Sequence, residues 1–115
     1  MNKSVKVTER QTVIGCARYL KAVADPIRLQ VVRILQNGPM TVSDISLFLD
    51  IELANISHHL RVLFNAKVVT TQRDGKYIYY SINEKLFDPG ISKDSLDFGC
   101  CKLDMRAVKK PGEIR

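Results

Sequence analysis

The sequence predicts a mainly α fold that closes on one small antiparallel hairpin. Three observations carry that prediction. Apolar residues recur at helical spacing through four successive stretches ending near Asn65, the composition turns strand-like from Val68 to Ile82, and Asp74-Gly75 within that stretch is a dipeptide that favours a tight hairpin turn.

Each element follows from its residues. From Glu9 to Ala24 the apolar set Val13, Cys16, Ala17, Leu20, Val23 and Ala24 marks a first amphipathic helix, with Cys16 on its buried stripe. Asp25-Pro26 supplies a side-chain cap and then proline at the first helical position, where its missing N–H costs nothing. A second helix follows through Ile27, Val31, Ile34 and Leu35 and stops near Asn37-Gly38-Pro39. Thr41 and Asp44 have capping-box spacing ahead of Ile45, Phe48 and Leu49, which make a short third helix. After a turn at Asp50-Ile51-Glu52, the residues Leu53, Ile56, Leu60, Leu63 and Phe64 form the apolar stripe of a fourth helix. Its other face, Asn55, Ser57, His58, Arg61 and Asn65, is polar and cationic without any carboxylate.

Two short helices joined by a tight turn, the second carrying such a face, fit a helix-turn-helix. The hairpin after them places Arg73 and Lys76 on either side of Asp74-Gly75, so its tip is positive. The expected architecture is a dimeric winged helix-turn-helix. Beyond Asn83 the pattern weakens: Asn83 to Asp88 fits one or two helical turns, Pro89-Gly90 interrupts it, and residues after about Arg106 read as a basic, loosely ordered tail. The expected division is a DNA-binding and dimerisation domain over 1–98 and a cysteine-containing segment with a basic tail over 99–115.

Composition narrows the function. A chain of 115 residues that is 45% hydrophobic holds one core, near the size at which pairing with a second copy supplies missing burial. A net charge of +6 suits an anionic partner such as nucleic acid. The first residues lack the apolar core of a signal peptide and no stretch approaches a membrane span, so a cytoplasmic protein with no membrane partner is expected. Three cysteines, two adjacent as Cys100-Cys101, do not make a structural disulfide framework. With no Cys-X-X-Cys motif, no strand-helix alternation and no nucleophile-base constellation, nothing points to an enzyme.

The order of elements, with Ala24-Asp25-Pro26-Ile27-Arg28-Leu29, Ile56-Ser57-His58-His59-Leu60-Arg61-Val62-Leu63 and the wing from Arg73 to Tyr80, resembles the ArsR/SmtB family of metal- and redox-responsive bacterial repressors. The resemblance covers roughly residues 10 to 83. It implies a homodimer that sets two recognition helices on an inverted-repeat operator in double-stranded DNA, with Asn55, Ser57, His58, Arg61, Arg73 and Lys76 facing the duplex. The chain also departs from the family. Glu52-Leu53 stands where relatives often carry Ser-Gln, which exchanges a base-reading amide for an apolar contact. Ala66-Lys67 stands where many carry Ala-Gly, which removes the residue that most easily ends a helix in the left-handed conformation. Thr41 and Ser43 replace the paired cysteines of one arsenic site, and the C-terminal segment has no histidine for a zinc site.

What remains for sensing is Cys100 and Cys101, with Cys16 as a third sulfur. A bond between the neighbours Cys100 and Cys101 would be strained and easily reduced, which suits a reversible switch. As thiolates the pair can chelate a soft metal or metalloid such as arsenite, with Cys16 joining them. No cofactor is required, and an inducer bound by thiolate is the expected ligand. Asp97, Asp104 and Lys102 flank the pair with charges of both signs, so metalloid capture and oxidation both stay open. The expected function is a repressor released from its operator by thiol chemistry. The alternative is a winged-helix protein-interaction module without inducer sensing, which Glu52-Leu53 favours and the carboxylate-free helix face opposes.

Overall fold

The computed structural model describes residues 3–109, with side chains described from Thr12 onward. Four helices, α1 (Lys3–Val23), α2 (Pro26–Leu35), α3 (Val42–Leu49) and α4 (Leu53–Asn65), precede a hairpin of β1 (Val69–Asp74) and β2 (Tyr77–Ile82). A second, smaller hairpin of β3 (Ser95–Asp97) and β4 (Lys102–Asp104) follows. This is the expected mainly α winged helix-turn-helix, with one hairpin more than expected.

Local chemistry sets the helix ends. Asp25 Oδ2 accepts hydrogen bonds from the backbone N–H of Ile27 (2.9 Å) and Arg28 (3.0 Å), satisfying two of the orphan donors at the start of α2. Thr41 Oγ1 accepts from Asp44 N at the start of α3. The turn into α4 closes when Asp50 adopts a left-handed φ of 54°, Ser46 Oγ donates to Ile51 O (2.6 Å) and Ile51 N donates back to Ser46 O (3.2 Å). Glu52 gives α4 no side-chain cap. The first helix starts at Lys3 rather than Glu9, since residues 4–8 contain no glycine or proline and extending a formed turn is easy.

The core gathers around α2. Val31, Val32, Ile34 and Leu35 pack with Ile45 of α3, Ile56, Leu60 and Leu63 of α4, and Val68 and Val69 at the entry to the wing. Each such side chain contributes about 1.5–3 kcal/mol on burial. The expected apolar stripes are wider than the buried ones. Val13 is 64% exposed, Leu20, Phe48, Leu53 and Phe64 are also exposed, and so are Ala17 and Ala24. One small core can cover only the central line of each helix, Cys16 and Val23 on α1 and Ile56, Leu60 and Leu63 on α4.

In the wing, Asp74 pairs with Tyr77, so the two-residue loop is Gly75-Lys76, one position later than the Asp-Gly signal suggests. Gly75 takes the positive φ (63°) that the first place of such a loop needs. Met40 and Tyr80 exchange two backbone hydrogen bonds, N to O at 3.0 Å and 2.8 Å, and so fix the wing to the segment between α2 and α3.

The C-terminal segment corrects an expectation. Residues 84–109, whose sequence pattern is weak, are held by the same core. A single hydrogen-bonded turn closes from Leu86 N to Asn83 O, and Leu86, Leu96, Phe98 and Met105 are buried. The β3–β4 hairpin pairs Ser95 with Asp104, Leu96 with Leu103 and Asp97 with Lys102, so the expected division after residue 98 falls inside it. Val108 packs against the core where a loose tail was expected. The rest of that expected tail, residues 110–115, lies outside the described residues.

Candidate nucleic-acid interface and cysteine cluster

The polar face of α4 forms as the helical period requires. Asn55, His58 and Arg61 are exposed and Ser57 is half-buried, while Ile56, Leu60 and Leu63 on the other side fasten the helix to the core. No residue of α4 carries a carboxylate. At the wing, Arg73 and Lys76 are exposed, with the Lys76 ammonium 5.4 Å from the Tyr77 ring centroid.

His59 is separated from its neighbour His58 by burial. Arg28 Nη1 donates to His59 Nδ1 at 3.1 Å, so Nδ1 carries the lone pair and the ring is neutral with its proton on Nε2. Burial pushes the His59 pKa down, the Arg28 charge adds to that, and the Asp25 carboxylate 3.8 Å away opposes it. The backbone N–H of Arg28 holds the Asp25 carboxyl below its usual range. His59 thereby joins the start of α2 to the middle of α4, a positioning role rather than a DNA-facing one.

The three cysteines meet in one place. Cys16 on α1 is 2% exposed and forms a disulfide with Cys100, with Cα atoms 6.1 Å apart. Cys101 is a free, exposed thiol whose Sγ lies 3.8 Å from that of Cys16. All three sulfurs lie within 4.8 Å of one another. The bond therefore joins Cys100 to Cys16 and not to its neighbour. Adjacent Cα atoms at ~3.8 Å fall short of the ~4.4–6.8 Å that a relaxed disulfide spans, which the Cys16–Cys100 pair satisfies.

The small hairpin brings them together. Gly99-Cys100 forms its two-residue turn, closed by Phe98 N donating to Cys101 O (2.9 Å), and Gly99 supplies a φ of 97°. Phe98 packs on Tyr19 of α1 with ring centroids 5.3 Å apart, and this sets the turn over Cys16.

One group of consequence carries no motif. Arg33 of α2 is 4% exposed, donates from Nε to Val108 O (2.8 Å) and from Nη1 to Gln36 Oε1 (2.8 Å), and pairs with Asp94 at 3.0 Å. The only signal in the sequence is an arginine inside the apolar run Val31-Val32-Arg33-Ile34-Leu35.

Residues 25–71 match the model of the family described as bacterial regulatory protein, arsR family. The chain is 39% identical over 72 residues to the transcriptional repressor SdpR of Bacillus subtilis, covering 63% of this chain and 80% of that one. It is 29% identical over 86 residues to the cadmium resistance transcriptional regulatory protein CadC homolog of Staphylococcus aureus, covering 74% and 71%. Among solved structures it resembles the homodimeric winged helix-turn-helix DNA-binding domain Mb0332 of Mycobacterium bovis, with a TM-score of 0.60, 29% identity, and coverage of 71% and 73%. From its motifs, its winged helix and these relatives, the chain belongs to the arsR family of bacterial regulatory proteins.

Proposed function

We propose that the chain is a homodimeric repressor that binds an inverted-repeat operator and releases it when its cysteine sulfurs capture a soft metal or metalloid or are oxidised. The observation that carries this is the exposed face of α4, cationic and free of carboxylate, beside a wing whose tip is also cationic. Two such helices in one dimer enter successive major grooves about 34–36 Å apart. Arg61, Arg73 and Lys76 neutralise phosphates, while Asn55, Ser57 and His58 meet base edges or the adjoining backbone. Repression follows from occupying promoter DNA, which places the protein in the cytoplasm.

The sensing part of the proposal draws on the sulfur cluster and on the relative named for cadmium resistance. Cys16 leaves from α1 and Cys100 and Cys101 from the small hairpin, so any change of state among the three alters how those elements sit. Release then requires only that one of the two states binds DNA less well.

The test of DNA binding is a salt titration. Arg61→Ala and Lys76→Ala are each expected to weaken operator binding and to lower the slope of log K against log salt by about one unit. Unchanged affinity and slope in both variants would show that another face meets DNA.

A further inference from the structure

We propose that the three sulfurs form a redox-gated ion site contained within each chain. Reduced, Cys16, Cys100 and Cys101 make a three-thiolate cup for a trivalent thiophilic metalloid; oxidised, the Cys16–Cys100 disulfide closes the cup and the chain no longer takes the ion. The inference rests on the reading that thiol chemistry drives release, and adds which ligand the site accepts and what forbids it.

Geometry sets the cup. Two sulfurs bound to one ion at about 2.3 Å each lie no more than about 4.6 Å apart. The three Sγ atoms already lie within 4.8 Å of one another in a single chain, so once the Cys16–Cys100 bond is reduced, side-chain rotation of the exposed Cys100 and Cys101 is enough to space all three around one ion. No histidine, aspartate or glutamate among the described residues joins this cluster. A tetrahedral cation would lack its fourth protein ligand, whereas a trivalent metalloid, three-coordinate with a lone pair at the apex, is satisfied by three thiolates. Cys101 is exposed, which opens the cup to solvent on its side. Cys16 is buried and fixes the opposite wall.

The two states compete for the same atoms. In capture, arsenous acid exchanges its three hydroxyls for three cysteine sulfurs; three S–As bonds form, three waters leave, and arsenic stays trivalent. In oxidation, the Cys16 and Cys100 thiols give two electrons and two protons to hydrogen peroxide, which becomes two waters, and one S–S bond forms. Cys101, 3.8 Å from Cys16 Sγ, can exchange into that bond by attacking as thiolate and expelling Cys100 as thiolate. Either pairing consumes two sulfurs and leaves one, and a single thiolate cannot hold the ion.

The experiment uses the full chain and arsenite as the probe. Protein reduced with a phosphine, then freed of it, is expected to retain one arsenic per chain and to expose no titratable thiol. Protein treated with peroxide is expected to be lighter by two hydrogens, to show one free thiol and to retain no arsenic; phosphine restores binding. Cys101→Ser should still form the disulfide, yet when reduced hold arsenite at least tenfold more weakly. Undiminished arsenite binding by the oxidised chain, or one arsenic shared between two chains, would overturn the inference. Operator binding, followed in parallel, separates the two readings. Arsenic uptake gated as described with DNA held throughout sinks thiol-driven release and leaves the gate standing; release by arsenite from a chain whose disulfide is intact sinks the gate and leaves release standing.

Discussion

Lys67 sits just past α4 with a φ of 67°, in the left-handed region where a Cβ costs about 1–2 kcal/mol. Three hydrogen bonds hold it there. Lys67 N donates to Phe64 O (3.0 Å) and Val68 N to Leu63 O (2.9 Å), and Asn83 Nδ2 donates to Lys67 O from the far end of the wing (2.9 Å). Lys67→Gly removes the Cβ strain but gives the unfolded chain more freedom, so the net gain should be about 0.5–1 kcal/mol. Thermal unfolding should shift up by roughly 2–6 °C. A lower midpoint would mean that the lysine stem contributes more than its backbone costs. This helix end was not legible in the sequence because its partner, Asn83, is sixteen positions away, whereas the starts of α2 and α3 were, because Asp25 and Thr41 cap donors only two or three positions on. The cysteines divide in the same way. Cys16 on the buried stripe could be read from its spacing, but its partner could not, since nothing local tells which of two neighbouring thiols turns toward α1.

Among elements, the β3–β4 hairpin was the least readable. Its strands are three residues long, too short to show a period, and they are held by groups outside them. Arg33 is the chief of these, gripping Asp94 just before β3 and the Val108 carbonyl just after β4. Arg33→Ala would strip Asp94 of its counter-charge and leave the Val108 carbonyl and the buried Gln36 oxygen without their donor. The expected cost is about 2–4 kcal/mol, below that of a fully buried pair because Asp94 is partly exposed. Denaturant unfolding should report that loss, and limited proteolysis should cut residues 84–109 faster than the helices. Arg33→Met keeps much of the volume without the charge, so it should be milder than Asp94→Ala, which leaves a buried guanidinium with no carboxylate to offset its charge. Equal protease resistance in Arg33→Ala and the parent would show that the apolar contacts of Leu96, Phe98 and Met105 suffice to hold the hairpin.

At the scale of the whole molecule, α1 has two adjoining working faces. One carries Cys16 and Tyr19 against the small hairpin. The other leaves Val13, Ile14, Ala17 and Leu20 exposed along one side of the helix. A second copy of the chain meeting that stripe would bury it and would lie beside Cys16, which is three and four positions from Val13 and Leu20, so that a change at Cys16 alters the spacing of the two α4 helices. Val13→Glu with Leu20→Glu tests this, because glutamate keeps helix propensity while setting charges in an apolar interface. The double variant should keep its helical circular dichroism and sediment near 13.0 kDa rather than twice that mass. Its operator binding should weaken by at least about 100-fold, with roughly half the salt slope, since a lone chain neutralises only one half-site's phosphates. Arsenite capture should persist at one per chain, because neither substituted side chain is a ligand and Cys16 itself is buried against the hairpin. If the variant stays dimeric with unchanged operator affinity, the chains pair elsewhere, and the sulfur cluster must act on DNA binding through the hairpin and α2 alone.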